Sequence, residues 1–206
     1  MNAVAVDFGV GVIVFAATNL DDLLLLAAFF ADPRMNRRAI VAGQFLGIGA
    51  LVAAAVLAAR LALAVPAGWI ALLGFVPLVL GLAKLRDLRR AEAADAESDE
   101  ADRRAAREAD GRRPWGQALA VGAVTIAHGG DNLGAWIPLF AHSPEAVTMH
   151  AFSFAVLTGL WCLAGARLTS HRVFGAAIRH RGHGILPIVL VALGLFILAD
   201  ARKLLA

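Results

Sequence analysis

Long uncharged runs alternate with short arginine-bearing clusters along this chain. A helix that crosses the hydrocarbon core of a bilayer needs about 20 apolar residues. Six stretches meet that length: Val6–Ala31, Ala39–Val65, Ala67–Leu85, Trp115–Phe140, Ala146–Leu168 and Gly184–Ala201. Proline and glycine mark the joins, at Asp32-Pro33, Pro66-Ala67-Gly68 and Ser143-Pro144. The pattern predicts an all-α polytopic membrane protein with six transmembrane helices. The first run is expected to be a span and not a cleaved leader. No Lys or Arg precedes it, and Asp21 and Asp22 interrupt what would be a leader's continuous apolar region.

Composition agrees and excludes other classes. Of 206 residues, 60% are hydrophobic and only 17% charged, where a soluble domain runs nearer about a quarter charged. A lone cysteine, Cys162, excludes an internal disulfide and a cysteine-rich zinc site. Arginine outnumbers lysine 17 to 2 and alanine is abundant, a usage typical of a high-GC bacterial genome, so the expected location is a bacterial plasma (inner) membrane.

Basic short loops stay cytoplasmic. The connections after the first, third and fifth runs hold 16 of the 19 cationic residues, which predicts three basic loops inside and both termini outside. The segment from Lys84 to Pro114 has nine basic and nine acidic residues and reads as a charged cytoplasmic linker. The expected organisation is a first three-helix repeat at 1–85, a linker at 86–114 and a second repeat at 115–206.

Those two repeats echo each other at an offset of 110 residues. Asp21-Asp22-Leu23 in the first run answers Asp131-Asn132-Leu133 in the fourth, and Thr18 answers His128. With three spans each, the halves must enter the membrane from opposite sides, as inverted repeats. Such repeats place a substrate site near the midplane, between corresponding interrupted helices.

The polar residues fall there. An acid at the centre of a membrane helix costs roughly 2.5–3.5 kcal/mol on insertion scales, so Asp21, Asp22 and Asp131 together approach about 10 kcal/mol by addition. As read from the spans, no Lys or Arg lies at comparable depth, and a cation from solution is the natural partner. Helical spacing puts Thr18, Asp21 and Asp22 on one face, and His128, Asp131 and Asn132 on another. Asn19 can join the first set if the helix loosens. Carboxylate and amide oxygens with one imidazole suit a divalent ion such as Mn²⁺, Zn²⁺ or Cd²⁺. Gly129-Gly130 weakens the fourth helix and could free backbone carbonyls.

Blander roles stand beside these. Asp21 and Asp22 also read as a protonated structural pair, and His128 as an interhelical hydrogen-bonder. Asn19 and Asn132 read equally as glue between helices. Gln44, inside Gly43-x-x-x-Gly47, reads as helix packing. The tryptophans read as interfacial aromatics, and His150 as a residue at an outer exit. No nucleophile elbow, HExxH pair, P-loop or full dinucleotide fingerprint occurs, so neither enzymatic chemistry nor transport driven by the chain's own ATP hydrolysis is expected.

Asn19-Leu20-Asp21-Asp22 and Thr125-Ile126-Ala127-His128-Gly129-Gly130-Asp131-Asn132 resemble the motifs of the cadmium-resistance transporter family, within the lysine-exporter superfamily. The resemblance spans nearly the whole chain. It implies efflux of cadmium or a related divalent cation, with Asp21, Asp22, Asp131 and Asn132 as carriers. His128 departs from it, because an asparagine is common at that place, and an imidazole there puts metal preference in question. Proton coupling is expected, since a carboxylate that releases its metal in a dry site is readily protonated. The expected partners are the metal as substrate, the lipid bilayer and a homo-oligomeric copy. No nucleic acid and no resident cofactor is expected. Two alternatives stand: an exporter of an amino acid or organic cation, and a non-transporting membrane scaffold.

Overall fold

The computed structural model describes residues 3–62, 71–86, 113–168 and 185–199. Among them the only regular structure is helical. The elements are α1 (Ala3–Thr18), α2 (Leu20–Ala31), α3 (Arg37–Ala62), α4 (75–86), α5 (Pro114–His128), α6 (Gly130–His142), α7 (Val147–Leu168) and α8 (Ile185–Ala199), with short 3-10 turns at Ala71–Gly74 and Pro144–Ala146.

Local chemistry sets the ends. Asn36 caps α3, its Oδ1 accepting from the backbone N–H of Arg38 at 2.9 Å and Ala39 at 3.4 Å. Asp32 organises the preceding turn, accepting from the Arg34 N–H at 3.0 Å. Pro114 opens α5, where its missing N–H costs nothing. Pro138 lies inside α6 and removes one helical bond there.

The first and fourth apolar runs are each two helices. Asn19 separates α1 from α2 with a bend of 53° between them, and Gly129 separates α5 from α6. The expected loosening at Asn19 and at Gly129-Gly130 is thus a full break in both places. Two helices, Arg37–Ala62 and Pro144–Leu168, are long and apolar enough to cross a bilayer, or three if α1 and α2 make one bent span. The third and sixth runs contribute the shorter α4 and α8. Residues 63–70, which end the second run and open the third, most of the 86–114 linker, and His171, His180, His183, Asp200 and Trp69 lie outside the described residues.

Helix starts recur at the offset seen in the sequence. Leu20 corresponds to Gly130, Arg37 to Val147, and position 75 to Ile185. Packing exchanges the halves: α3 lies mainly on α5 and α6, while α7 lies on α1 and α2. Small residues permit both approaches. A methyl at Gly47 would come within 2.6 Å of Thr125 Cβ, and one at Gly165 within 2.8 Å of Leu26 Cβ. Packing at Gly43 and Gly47 is as the spacing predicts.

Two apolar clusters fill the interior. Phe15, Trp136, Phe140 and Phe154 form the aromatic part of one; Leu26, Phe29 and Ile40 anchor the other. Large apolar side chains also cover the outside, among them Phe152, Leu57, Leu61 and Ile188, which is the surface that lipid requires.

Candidate cation site at two helix breaks

Both breaks lie side by side. Asn19 and Asn132, one from each half, pair their amides reciprocally: Asn19 Nδ2 donates to Asn132 Oδ1 at 3.2 Å, and Asn132 Nδ2 donates to Asn19 Oδ1 at 3.3 Å. Both are buried. Asn19 Nδ2 also reaches the Phe15 carbonyl at 2.9 Å, which accepts the Asn19 backbone N–H as well at 3.1 Å. Trp161 of α7 donates its indole N–H to the Asn19 carbonyl at 2.6 Å. At the second break Leu51 of α3 packs on Gly129, leaving no room for a side chain there. Positions 161 and 51 are themselves 110 apart, so each long helix braces the break of the other half.

The acids follow directly. Asp21 and Asp22 lie in the first turn of α2, and Asp131 in the first turn of α6. The exposed N–H groups and dipole of a helix start favour negative charge by about 0.3–1 kcal/mol, up to ~2 when partly buried. That offsets part of the insertion cost of each acid and leaves a remainder for a partner.

Those partners differ. Asp22 is buried at 3% exposure, and its Oδ2 accepts from Gln44 Nε2 at 2.9 Å. Gln44 Oε1 in turn accepts from Thr125 Oγ1 at 2.8 Å, and Thr125 Oγ1 bonds back to the Val121 carbonyl at 3.1 Å. Asp131 is partly open, and its Oδ2 forms an ion pair with Lys84 Nζ at 2.7 Å. Asp21 is accessible, yet it lies within electrostatic reach of Asp131 and His128. His128 ends α5 with Nδ1 2.9 Å from the Val124 carbonyl. A carbonyl only accepts, so that contact requires a proton on Nδ1.

Four sequence expectations need correction. Asp131 does have a cationic partner: α4 continues through Arg86, which carries Lys84 to Asp131 instead of into a loop. Asp21 and Asp22 do not share a face, because neighbouring residues on a helix point about 100° apart, and one is accessible while the other is buried. Gln44 is not mere packing, since it bridges Asp22 and Thr125. Of the tryptophans, Trp136 is fully buried and Trp161 serves the Asn19 break, so neither is a simple interfacial ring.

Asn19 and Asn132 are bonded to each other and Asp21 lies within electrostatic reach of Asp131 and His128, while Asp22 turns toward Gln44. Lys84, Gln44, Thr125 and Trp161 were missed. Lys84 carried a signal as one of two lysines in a chain rich in arginine, Thr125 as the first residue of the second motif, and Gln44 as a polar residue within an apolar run. Among the described residues, no three His, Cys, Asp or Glu side chains are gathered into a metal-binding group. The polar atoms are instead bonded to one another.

Apolar outer surfaces, helices of bilayer length and acids at paired breaks define a helical membrane protein with a polar centre. A family model described as cadmium resistance transporter matches residues 15–205. The chain belongs to that transporter family. No curated protein matches it, and no solved structure does.

Proposed function

We propose that this chain exports cadmium or a related divalent cation across the bacterial plasma membrane through a site at its two helix breaks. The observation that carries this reading is the juxtaposition of acids from both halves at adjacent breaks. Asp21 and Asp131 offer carboxylates, His128 offers Nε2, and Asn19 and Asn132 hold the two half-helices in register. Asp22 completes the set when Gln44 lets go of it. Hydroxyl-free oxygen donors with one imidazole suit Cd²⁺, Zn²⁺ or Mn²⁺.

On this reading the arrangement described is a closed one. An arriving dication displaces the Lys84 ammonium from Asp131, since a double charge held by two carboxylates outcompetes a single one. Release on the outer side is coupled to proton entry, which neutralises the vacated carboxylates. The repeated helix starts and the exchanged packing of α3 and α7 support two inverted halves that rock about this centre. Six crossings follow if α5 with α6, and α4 and α8 with their flanking residues, each count as one.

Proteoliposomes loaded with a fluorescent chelator test the reading. Wild type should carry Cd²⁺ at a rate that rises with an opposing proton gradient, and Asp131→Asn should abolish it at equal protein incorporation. Wild-type vesicles no more permeable to Cd²⁺ than empty ones would overturn it.

One observation favours a second reading. Lys84 shows that Asp131 can hold a primary ammonium, so an exported amino acid or organic cation could occupy the same place. Calorimetry separates the two: Cd²⁺ binding with no response to millimolar lysine or alkylamines excludes the second.

A further inference from the structure

His150, in the first turn of α7, is 1% exposed, and neither Nδ1 nor Nε2 has a hydrogen-bond partner. Leaving a buried polar atom unsatisfied costs about 1–3 kcal/mol, so such a group points to a bound species or a role. Its surroundings define a place. The ring stacks on Phe140 at 6.0 Å and 26°, and lies 6.2 Å from Phe154. Its Nδ1 and Cε1 rest on Gly11 of α1, where a methyl group would collide with them. Gly11 is one turn from Asp7 on the same helix face. The Asp7 Oδ1 accepts from Ser143 Oγ at 3.5 Å, and His150 lies within electrostatic reach of Asp7. Carboxylate and hydroxyl are thus joined between α1 and the end of α6, and the imidazole at the start of α7 lies within electrostatic reach of that carboxylate.

This cluster is separate from the breaks. Asp7 precedes Thr18 by 11 residues and Ser143 follows Asn132 by 11, about 16 Å along either helix axis. Between them lies an aromatic stack: Phe15 to Trp136 at 6.0 Å, Trp136 to Phe154 at 4.8 Å, and Phe15 to Phe154 at 5.0 Å. The buried Trp136 Nε1 in that stack is likewise without a partner. An aromatic layer therefore divides two polar stations, one on each side.

We propose that His150 and Asp7, with Ser143 orienting the carboxylate, form a second divalent-cation station beyond the aromatic layer, where the ion stops on its way out. One imidazole nitrogen and one carboxylate oxygen ligate the ion, and water fills the other positions. A borderline ion such as Zn²⁺ or Cd²⁺ suits this mixed set. Only two strong ligands make the station weak, as a release point must be, because conduction requires that an ion be able to leave. The direction of traffic rests on the export reading; the station itself does not.

Zinc titration of the full-length protein in nanodiscs tests it, with Asp131→Asn used to disable the centre. That variant should keep one weak Zn²⁺ equivalent. Adding His150→Phe, which preserves ring stacking, should weaken it at least tenfold. Asp7→Asn in the same background should do likewise without touching the aromatic packing, and it decides the matter if the phenylalanine variant does not fold. Equal zinc binding by Asp131→Asn and by the folded double variants overturns the station. So does loss of all zinc from Asp131→Asn while wild type binds it, an outcome that leaves the central site standing. Wild type that binds no Zn²⁺ at all overturns both. Unchanged zinc binding with an altered pH dependence of transport would make His150 a proton carrier and also overturn the proposal.

Discussion

The two helix breaks, at Asn19 and Gly129, are held in different ways. At the first, Asn19 bonds to the Phe15 carbonyl and to Asn132, and its own carbonyl takes the Trp161 indole N–H. The acid that follows and points inward, Asp22, is buried against the neutral amide of Gln44. At the second, glycine makes the break, Leu51 only packs on it, and the acid is partly open and paired with the flexible cation of Lys84. A neutral, buried hydrogen-bond network has few alternative arrangements. An accessible ion pair exchanges partners readily, because its two charges lose little by returning to water or to another ion. The first break is thus held rigidly, and the second carries the more exchangeable contact.

The contrast can be broken most severely at Asp131. Asp131→Asn should lower Cd²⁺ affinity, measured by calorimetry, at least tenfold, and abolish the tolerance it confers on a cadmium-sensitive host at matched abundance. Retained tolerance would move the site elsewhere. Lys84→Met should act in the opposite direction on binding. With the competing ammonium gone, Cd²⁺ affinity should rise several-fold, whereas Lys84→Arg should stay near wild type. Affinity that falls in the methionine variant would make Lys84 part of the binding shell and not its competitor.

At the first break the effect should appear in stability. Gln44→Leu takes one donor from the buried Asp22 carboxylate and should cost about 1–3 kcal/mol, read as a lower unfolding midpoint in detergent. A variant as stable as wild type would deny Asp22 its role in holding the first break. Smallest of all, Ser153→Ala should change stability by less than about 0.5 kcal/mol. Its hydroxyl only bonds back to the Met149 carbonyl at 2.7 Å within its own helix, away from either break.

By itself the sequence determined the helical class and pointed to the two places where helices break. These are local properties: apolar run length, the weak helix propensity of Gly129-Gly130, and the placement of Asn19 before two acids. It also located the small residues of α3 that allow close approach. Tertiary structure alone decided who partners whom. Lys84 with Asp131, Gln44 with Asp22 and Thr125, and Trp161 with Asn19 join residues far apart in the chain. Each pairing depends on how a helix is rotated about its axis and which neighbour it crosses. In a membrane helix both the lipid face and the buried face are apolar, so the hydropathy pattern that sets rotation in a soluble helix is silent here. Only the packed helices fix which polar side chain turns inward.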